Sequence, residues 1–403
     1  MTDEWLQTTL GQVSSFASGY SFKPSEQGLS AGDIPFLKVS DMNLPGNEVR
    51  VTTGVNWVDA KALARLGAKS WPAGTVIFPK VGAALLTEKR RILGLRAAFD
   101  NNVMGLVADP KILLSDFLYA LMCQVRLGDY AQQGAVPSVN QRHLSGISVH
   151  LPPLPVQRRI VDLMGHLDAH LANLEAERDA TSGLLEALRR DLFATVESSP
   201  AITLGELTAQ TRPICYGVLK PGPNDPDGVP LVRIVDMVGD TLANRGLHLI
   251  SPDLDDEFRR SRLMGGEVLL SIQGTVGRVA LVPPELSGAN ISRTIARIAP
   301  DSRLDPAYLR QWLMLIARAE GFDDAGSTRA SLNIGTIRKM EVPVPTLETQ
   351  RRVLSLLEAS ESTFVQLGQE VEHLRTLRRT VLTELLTREC VVPDTYDEFL
   401  GVA

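Results

Sequence analysis

The residues in this sequence that could do chemistry are mainly cations and amides suited to binding nucleic acid. The segment "TEKRRIL" carries Lys89, Arg90 and Arg91 in succession, and Lys80 begins the same predicted hairpin. A run of charge is usually a solvated face, but the chain as a whole has a net charge of -6. Four cations gathered in one loop of an acidic protein favour contact with phosphate groups.

A second group of cations lies in the other half of the chain, at Arg259, Arg260 and Arg262. These arginines could bind phosphate in the same way. They could equally pair with the acidic residues directly upstream, at 255–257. The sequence favours neither alternative.

The segment "GTVG", Gly274–Gly277, has the composition of a small phosphate cradle or of a tight turn between two strands. The turn is favoured, because the flanking runs are β-branched and apolar. Even as a turn it would carry Gln273, Thr275 and Arg278, which could lie along a DNA backbone.

Ser138 and Asn140 match Ser331 and Asn333, just before the last predicted strand of each half. Serine and asparagine at such places often close turns. Their repetition between otherwise different loops predicts a shared role, either a structural cap or a phosphate contact. Arginine and glutamine beside them can bind base edges with two hydrogen bonds. The residues favoured as DNA contacts here are Gln141, Arg142 and Arg329.

No motif for catalysis or metal binding stands out. The sequence has no GxxxxGK[ST] phosphate loop, no glycine-rich cofactor loop and no Asn-Pro-Pro-aromatic tetrad. His166 and His170 in "HLDAH" are one helical turn apart but lack the glutamate of a zinc protease, and are interpreted as solvated. The three cysteines are far apart, which predicts free thiols. We expect a non-catalytic chain that binds no cofactor or metal.

The elements that must position these residues occur twice. "SVNQRHLSGISVHLPPLPVQRRIV" begins at Ser138, and "SLNIGTIRKMEVPVPTLETQRRVL" begins 193 residues later, at Ser331. Earlier segments match as well, with "IPFLKVSDM" against "VPLVRIVDM" and "AGTVIFPKVGAAL" against "GGEVLLSIQGTVG". Each half first has short β-branched runs with one or two helices, and then a long stretch without proline. A duplicated α+β unit followed by a long helix is predicted.

Both long helices carry apolar residues at alternating steps of four and three, which is a coiled-coil pattern. The first seam comprises Ile160, Met164, Leu167, Leu171, Leu174, Leu185, Leu188 and Leu192. The second comprises Val353, Leu357, Phe364, Leu367, Val371, Leu374, Val381 and Leu385. The pattern predicts that the helices pair with each other, antiparallel, as a spacer of about 50 Å. Two recognition domains on such a spacer suit a bipartite DNA target with unread bases between its halves.

The order and duplication of these motifs resemble the specificity subunit of Type I restriction-modification systems, over essentially the whole chain. The segments that carry the resemblance are "FPKVGAALLTEKRRIL", "FDNNVMGL", "SVN", "LPPLPVQRRIV", "LLSIQGTVGRVAL", "SLN" and "VPVPTLETQRRVL". The usual acidic residue before Gln-Arg is absent, since Val156 and Thr349 stand there. The resemblance implies a non-catalytic subunit that reads a split, asymmetric duplex DNA sequence. It also implies two methyltransferase (modification) subunits and restriction (translocase and nuclease) subunits as partners, which would hold S-adenosylmethionine, ATP and Mg.

The expected organisation is α+β, with two similar globular target-recognition domains separated by two long antiparallel coiled-coil helices in a pseudo-two-fold repeat. The domains are predicted at 1–153 and 198–345, the spacer helices at 154–197 and 346–390, and a C-terminal tail at 391–403. No segment has the features of a signal peptide or a membrane span, so a cytoplasmic location is expected. An alternative is a coiled-coil scaffold whose globular ends bind proteins or glycans.

Overall fold

The computed structural model describes residues 5–132, 134, 136–238, 241–319 and 331–400, which form two compact units. Unit 1 consists of Met1–Asn173 and Val371–Ala403, and unit 2 consists of Leu174–Glu370. This division differs from a simple alternation of domain and helix along the chain. Each unit contains one part of both long helices, because each helix part packs on the globular residues of that unit.

Unit 1 is a mixed α+β fold. Its strands are β1 (Leu6–Thr9), β2 (Ser14–Ser18), β3 (Ile34–Leu37), β4 (Arg50–Val51), β5 (Trp57–Val58), β6 (Val76–Pro79), β7 (Arg91–Leu93), β8 (Ala98–Phe99), β9 (Val103–Ala108) and β10 (Ser148–Leu151). Its helices are α1 (Leu10–Val13), α2 (Ala60–Leu66), α3 (Ser115–Gln124), α4 (Gln141–Ser145) and the first part of α5 (Leu154–Thr195). Single 3-10 turns lie at Pro24–Glu26, Val39–Asn43, Leu85–Thr87, Leu127–Tyr130 and Asp394–Glu398.

Unit 2 has the same kind of architecture. Its strands are β11 (Ala201–Thr203), β12 (Cys215–Tyr216), β13 (Val229–Val232), β14 (Met237–Val238), β15 (Thr241–Leu242), β16 (His248–Ile250), β17 (Val268–Ser271), β18 (Val279–Leu281), β19 (Asn290–Ile291), β20 (Ile295–Ile298) and β21 (Glu341–Pro343). Its helices are α6 (Pro252–Glu257), α7 (Pro306–Ala319), α8 (Ile334–Lys339) and α9 (Leu347–Thr387), which continues into unit 1. Its 3-10 turns lie at Ile234–Asp236, Arg259–Ser261 and Pro284–Leu286.

The two units share one sheet topology. The order β2-β9-β6-β7 of unit 1 corresponds to β12-β20-β17-β18 of unit 2, and β5-β3-β8 corresponds to β16-β13-β19. The central antiparallel pair has the same register in both, with Val76 opposite Leu106 and Val268 opposite Ile298. The sequence repeat is therefore a repeat of hydrogen-bonded pairs, and equivalent positions in the two units can be compared directly.

The matched registers hold different side chains in one place. Gly105 faces Ile77 in unit 1, and Arg297 faces Leu269 in unit 2. A Cβ at Gly105 would lie 3.0 Å from side-chain atoms of Ala17 and Thr75, so a larger residue would require these neighbours to shift. Arg297 is buried instead, and its guanidinium donates to Glu267 at 2.7 Å. The same sheet position is therefore packed with a glycine in unit 1 and with a buried, ion-paired arginine in unit 2.

A buried glutamine at the start of each long helix fixes that helix to its unit. In unit 1, Gln157 Oε1 accepts from Leu114 N at 2.9 Å, and its Nε2 donates to the carbonyls of Ile112 and Pro152, both at 2.8 Å. The first bond satisfies the N–H of Leu114, directly before α3, and the other two connect the segments that precede α3 and α5. The repeated Gln-Arg-Arg motif thus contains a structural residue.

Gln350 repeats this arrangement in unit 2. Its Oε1 accepts from Asp305 N at 2.8 Å, directly before α7. Its Nε2 donates to Arg303 O and Pro345 O, both at 2.9 Å. Both glutamines are fully buried.

The long helices pack antiparallel in each unit. In unit 1, Ile160 and Met164 near the start of α5 share an apolar cluster with Leu382 and Leu385 near the end of α9. An ion pair between Asp168 and Arg378 joins the same two helix parts. In unit 2, the later part of α5 and the start of α9 share a cluster that contains Leu185, Leu188, Leu192, Val353 and Leu357.

The seam residues predicted from the heptad pattern are buried or half-buried throughout. In unit 1 these are Ile160, Met164, Leu167, Leu171, Val371, Leu374, Val381 and Leu385. In unit 2 they are Leu174, Leu185, Leu188, Leu192, Val353, Leu357, Phe364 and Leu367. None of the helices in the described ranges has both the length and the apolar character needed to span a bilayer.

Candidate nucleic-acid interface

Unit 2 has an open groove of about 360 Å³ beside the end of β17. Its walls include Tyr216, Leu219, Gln273, Arg293, Ser331 and Asn333. Gln273 and Ser331 lie opposite each other in a backbone bridge, which connects the end of β17 to the segment before α8. The groove therefore brings together residues that are distant in sequence.

Arg293 is the cation of this groove. Its backbone is fixed, because its N–H donates to Val218 O at 2.9 Å and the flanking hydroxyls of Ser292 and Thr294 hydrogen-bond each other at 2.7 Å. The side chain is exposed, and within the described ranges no acceptor for its guanidinium is found. A guanidinium on a rigid base can make two parallel hydrogen bonds to a phosphate or to a guanine edge.

The "GTVG" segment is a tight turn between β17 and β18, as the sequence favoured. Gly274 and Gly277 have φ of 79° and 92°, which only glycine adopts without strain. Ser271 Oγ holds the turn by donating to Thr275 O at 2.6 Å and accepting from Arg278 N at 2.7 Å. Thr275 is exposed at the tip of the turn.

The Arg278 side chain, predicted to lie along DNA, makes hydrogen bonds within unit 2, and its DNA contact stays a prediction. Its Nη1 donates to Met237 O at 2.7 Å and to Ile234 O at 3.3 Å, and the residue is half-buried. The guanidinium thus fastens the hairpin to the turn that precedes β14. Sequence could not show this, because the acceptors lie about 40 residues upstream.

The two Ser-x-Asn motifs are structural caps. Asn140 Oδ1 accepts from His143 N at 2.9 Å, and Asn333 Oδ1 accepts from Thr336 N at 2.8 Å. Each asparagine thus begins a short helix, α4 or α8. Ser138 pairs through its backbone with Val81, as Ser331 does with Gln273. The cap is thus observed for the two asparagines, and a phosphate contact by these motifs stays a prediction.

The equivalent place in unit 1 has the same backbone register but different side chains. Register places Val81 where unit 2 has Gln273, and Asn101 where unit 2 has Arg293. Beside them Asp100, whose pKa is raised by burial, stands where unit 2 has Ser292. Unit 1 thus presents an amide at the position where unit 2 presents a cation.

Gln141 and Arg142 lie in the first turn of α4, next to this place in unit 1. Both are exposed, and the described part of the chain provides no side-chain partner for either. They are therefore available for a ligand at the position where the sequence predicted DNA contacts. That contact itself stays a prediction.

The cations of "TEKRRIL" are used mostly inside unit 1. Arg90 is 5% exposed, and its guanidinium pairs with Glu88 at 2.7 Å and donates to Glu88 O and Val125 O. Arg91 is half-buried and donates to Met42 O at 3.0 Å through Nη2. These donors of Arg90 and Arg91 therefore serve contacts within unit 1, and a phosphate contact by either arginine stays a prediction.

The two lysines of this group differ from the arginines. Lys89 is half-buried and its ammonium donates to Asn43 Oδ1. Lys80 is half-buried, and its backbone donates to Asn102 O at 2.8 Å and accepts from Val139 N at 3.0 Å. Both lysines are more exposed than Arg90. Their contacts with phosphate stay predictions.

Glu88 explains why the basic run folds inward. It has φ of 54°, in the left-handed region, and its carboxylate accepts from Leu127 N at 3.0 Å and Gly128 N at 2.9 Å. Burial raises the pKa of Glu88, but these two amides and Arg90 outweigh it and hold the pKa below its usual value. The glutamate and Arg90 together tie the loop to the turn after α3.

The arginine cluster of unit 2 is divided. Arg262 pairs with Asp255 through Nε at 2.7 Å and with Asp256 at 3.2 Å, so the internal alternative holds for it. Arg259 and Arg260 are exposed. Arg329, predicted as a DNA contact, lies outside the described residues.

The described residues contain no group of three His, Cys, Asp or Glu side chains that could hold a metal ion. His166 is exposed and contacts Asp162 one helical turn away, with Nδ1 3.2 Å from Oδ2.

Sequence reasoning missed Arg293 and Tyr216, which line the groove, and Asn101, which matches Arg293 in unit 1. The candidate phosphate contacts were chosen mainly from runs of charge, whereas Arg293 is an isolated cation in "NISRTIARI". The repeat itself was a usable signal. Aligning "FDNNVMGL" with "ISRTIARI" shows Asn101 and Arg293 as unlike residues between two framework positions that correspond.

Comparison with known proteins identifies the family to which this fold is similar. A family model described as Type I restriction modification DNA specificity domain matches residues 2–181 and 237–372. A relative from Escherichia coli, the Type I restriction enzyme EcoBI specificity subunit, is 23% identical over 96% of this chain and 86% of its own. A putative Type I restriction enzyme MjaX specificity subunit from Methanocaldococcus jannaschii is 21% identical over 62% of this chain and 61% of its own.

Solved structures agree at the level of the fold. The Type I restriction-modification S subunit from M. genitalium is 15% identical, covers 96% of both chains and has a TM-score of 0.53. A chain from a structure on complex assembly and conformational transition of the Type I system has a TM-score of 0.55, at 15% identity and over 96% of this chain and 98% of its own.

Proposed function

This chain belongs to the family of Type I restriction-modification DNA specificity proteins, and from that premise we propose that its two units read different halves of one duplex DNA target. The family establishes a non-catalytic subunit whose role is DNA sequence recognition. The proposal adds a bipartite and asymmetric target, one half for each unit, with unread bases between the halves.

The observation that carries the proposal is the pair of equivalent positions that differ between the units. Their sheets have one register, and the Ser-x-Asn caps recur beside them. Within that shared frame unit 2 presents Arg293 and Gln273, whereas unit 1 presents Asn101 and Val81. Arginine matches a guanine edge, and glutamine or asparagine matches an adenine edge. Two units with the same backbone register but different side chains at these positions are suited to two different half-sites.

Phosphate contacts would set the register of each unit on the duplex. In unit 1 we assign this role to the exposed pair of Gln141 and Arg142, in place of the base contacts that their residue types suggested, together with Lys80 and Lys89. In unit 2, Arg259 and Arg260 are available. A few local cations of this kind support DNA binding by a chain whose net charge is -6.

We further propose that two modification subunits dock on the long helices and that restriction subunits join this complex. In unit 2 the helices leave Leu184, Leu356 and Val365 about half or more exposed, at 65%, 51% and 51%. Large apolar side chains on a helix surface support a protein-binding role. In this assembly S-adenosylmethionine belongs to the modification subunits, and ATP with Mg belongs to the restriction subunits. The expected location is the cytoplasm.

The test is to co-express the full chain with a modification subunit of its system and to map methylated bases by single-molecule sequencing. The expected result is one bipartite motif with a fixed gap. Arg293→Gln should relax one position in one half of the motif, by about fivefold to about 150-fold, because one bidentate base contact is worth about 1–3 kcal/mol. Asn101→Ala should relax the other half only.

The matched control is Arg245→Gln, which removes an exposed cation of unit 2 that is not a groove residue. It should leave the motif unchanged. Relaxation of both halves by one groove variant would contradict the assignment of one half-site to each unit. A complex that neither methylates nor binds DNA would move the chain to the alternative, a coiled-coil scaffold.

A further inference from the structure

The chain does not end with its last long helix. After α9, the segment 391–400 turns back within unit 1 and lies against the first turns of α5. Val392 packs on the apolar cluster that contains Ile160 and Leu385. Residues Asp394–Glu398 then form a 3-10 turn over the helix. We name the segment 391–400 the strap.

The strap is held mainly by one arginine. Arg159 is 5% exposed, and its Nε and Nη2 donate to the two carboxylate oxygens of Asp397, both at 2.7 Å. Its remaining nitrogen, Nη1, contacts Asp394. This is the bidentate fork by which arginine recognises a carboxylate, and charge-assisted bonds of this kind are stronger than neutral ones.

An aromatic residue adds a second anchor. Tyr396 Oη donates to Asp162 Oδ2 at 2.9 Å. Asp162 lies in α5, about one helical turn after Arg159. The ring of Phe399 lies near that of Tyr396, with centroids 5.8 Å apart, yet Phe399 is 84% exposed. The strap thus binds α5 through the carboxylates of Asp394 and Asp397 and the hydroxyl of Tyr396, while Phe399 on its outer face is exposed to solvent.

The second repeat has the helix without the strap. Arg352 stands at the position of Arg159 and is exposed, and Ser355 replaces Asp162. The fold of the repeat, including the buried glutamine bond network, is complete there all the same. A unit of this fold therefore forms without a strap, and the polar contacts of the strap resemble those of a ligand on a surface site.

We propose that the start of α5 is a docking site for an acidic, aromatic peptide segment, and that the chain's own strap occupies this site as a tethered ligand. A partner segment with two carboxylates three residues apart and a tyrosine between them would compete for Arg159. Apart from the packing of Val392, the attachment depends on one guanidinium and one hydroxyl, which suits exchange. The side chain of Asp394 is itself 82% exposed, so this part of the strap borders solvent.

The experiment uses the full chain. The double variant Asp394→Asn and Asp397→Asn removes both carboxylates from the strap, and a fluorescent peptide with the native sequence "VVPDTYDEFL" is then added in trans. Fluorescence anisotropy should show that the variant binds the peptide at least tenfold more tightly than the unaltered chain, whose site is filled. Adding Arg159→Gln to the variant should abolish binding. Adding Arg352→Gln, which removes the equivalent exposed arginine, should not change it.

A second measurement avoids reliance on variant folding. A protease site inserted after Cys390 is cleaved once the chain has folded with its strap in place. The severed strap should remain bound and should be displaced by excess peptide, whereas a chain with Arg159→Gln should release it at once. A strap that stays bound against excess peptide, or a peptide that binds equally with and without Arg159, would overturn the proposal and leave the segment a fixed part of the fold.

Discussion

The buried glutamines at the helix starts provide the sharpest test of how the units are built. Replacing Gln157 by leucine keeps the approximate volume but removes three hydrogen bonds, to Leu114 N, Ile112 O and Pro152 O. The side chain is fully buried, so water cannot replace the lost partners. At about 1 kcal/mol for each bond, the opening free energy of this region should fall by about 3 kcal/mol.

Amide hydrogen exchange, followed by mass spectrometry on peptides that cover the start of α3, measures this loss locally. A change of about 3 kcal/mol corresponds to exchange that is about a hundredfold faster at residues such as Leu114. Gln141→Leu is the matched control, since Gln141 is an exposed glutamine of the same unit and should change stability by less than about 0.5 kcal/mol. Gln350→Leu should produce the same effect near Asp305 in unit 2. Acceleration below about fivefold for Gln157→Leu would refute the reasoning, because it would show that the bonds are replaced or contribute little.

Three further outcomes are expected. Arg90→Leu should lower the stability of unit 1 by about 2 kcal/mol in urea unfolding, by leaving Val125 O and Glu88 without a donor, and should not change the salt dependence of DNA binding. Arg142→Ala should reduce the slope of log K against log salt by about one and leave sequence preference unchanged, as for loss of one phosphate contact. Arg159 holds the pKa of Asp397 below its usual 3.8, so the strap contact is present above that pH and is lost only as the pH falls through the lowered pKa. Peptide exchange should therefore be constant between about pH 5 and pH 8, and a transition near neutrality in the anisotropy assay would contradict this assignment.

The repeat, the fold class and the helix seam could be predicted from sequence because each is encoded locally. Strands such as β6 and β17 are continuous apolar runs whose spacing recurs at a constant offset. A heptad pattern needs only the helix period to be read. The "GTVG" turn was predictable for the same reason, since glycine at positive φ is a local requirement.

The candidate site was less predictable, because charge alone does not say where a side chain finds its partner. The Arg90 donors are taken by Val125, 35 residues away, and those of Arg91 by Met42, 49 residues away. Arg262 has its partner seven residues upstream, and that alternative was visible in the sequence. Arg293 is not part of a run of charged residues, so the sequence did not single it out, although it is the exposed cation of the groove.

By itself the sequence determined that the chain is a duplicated α+β unit with paired long helices, and its motifs pointed to the family. Periodicity and repetition are properties of neighbouring residues and survive without coordinates. Only the tertiary structure decided which cations face solvent, that the glutamine of Gln-Arg-Arg is a buried anchor, and that the tail binds Arg159. Those outcomes depend on backbone carbonyls and carboxylates that folding brings together from distant parts of the chain. Residue type shows that a side chain can donate a hydrogen bond, but only the folded structure shows which acceptor lies within reach.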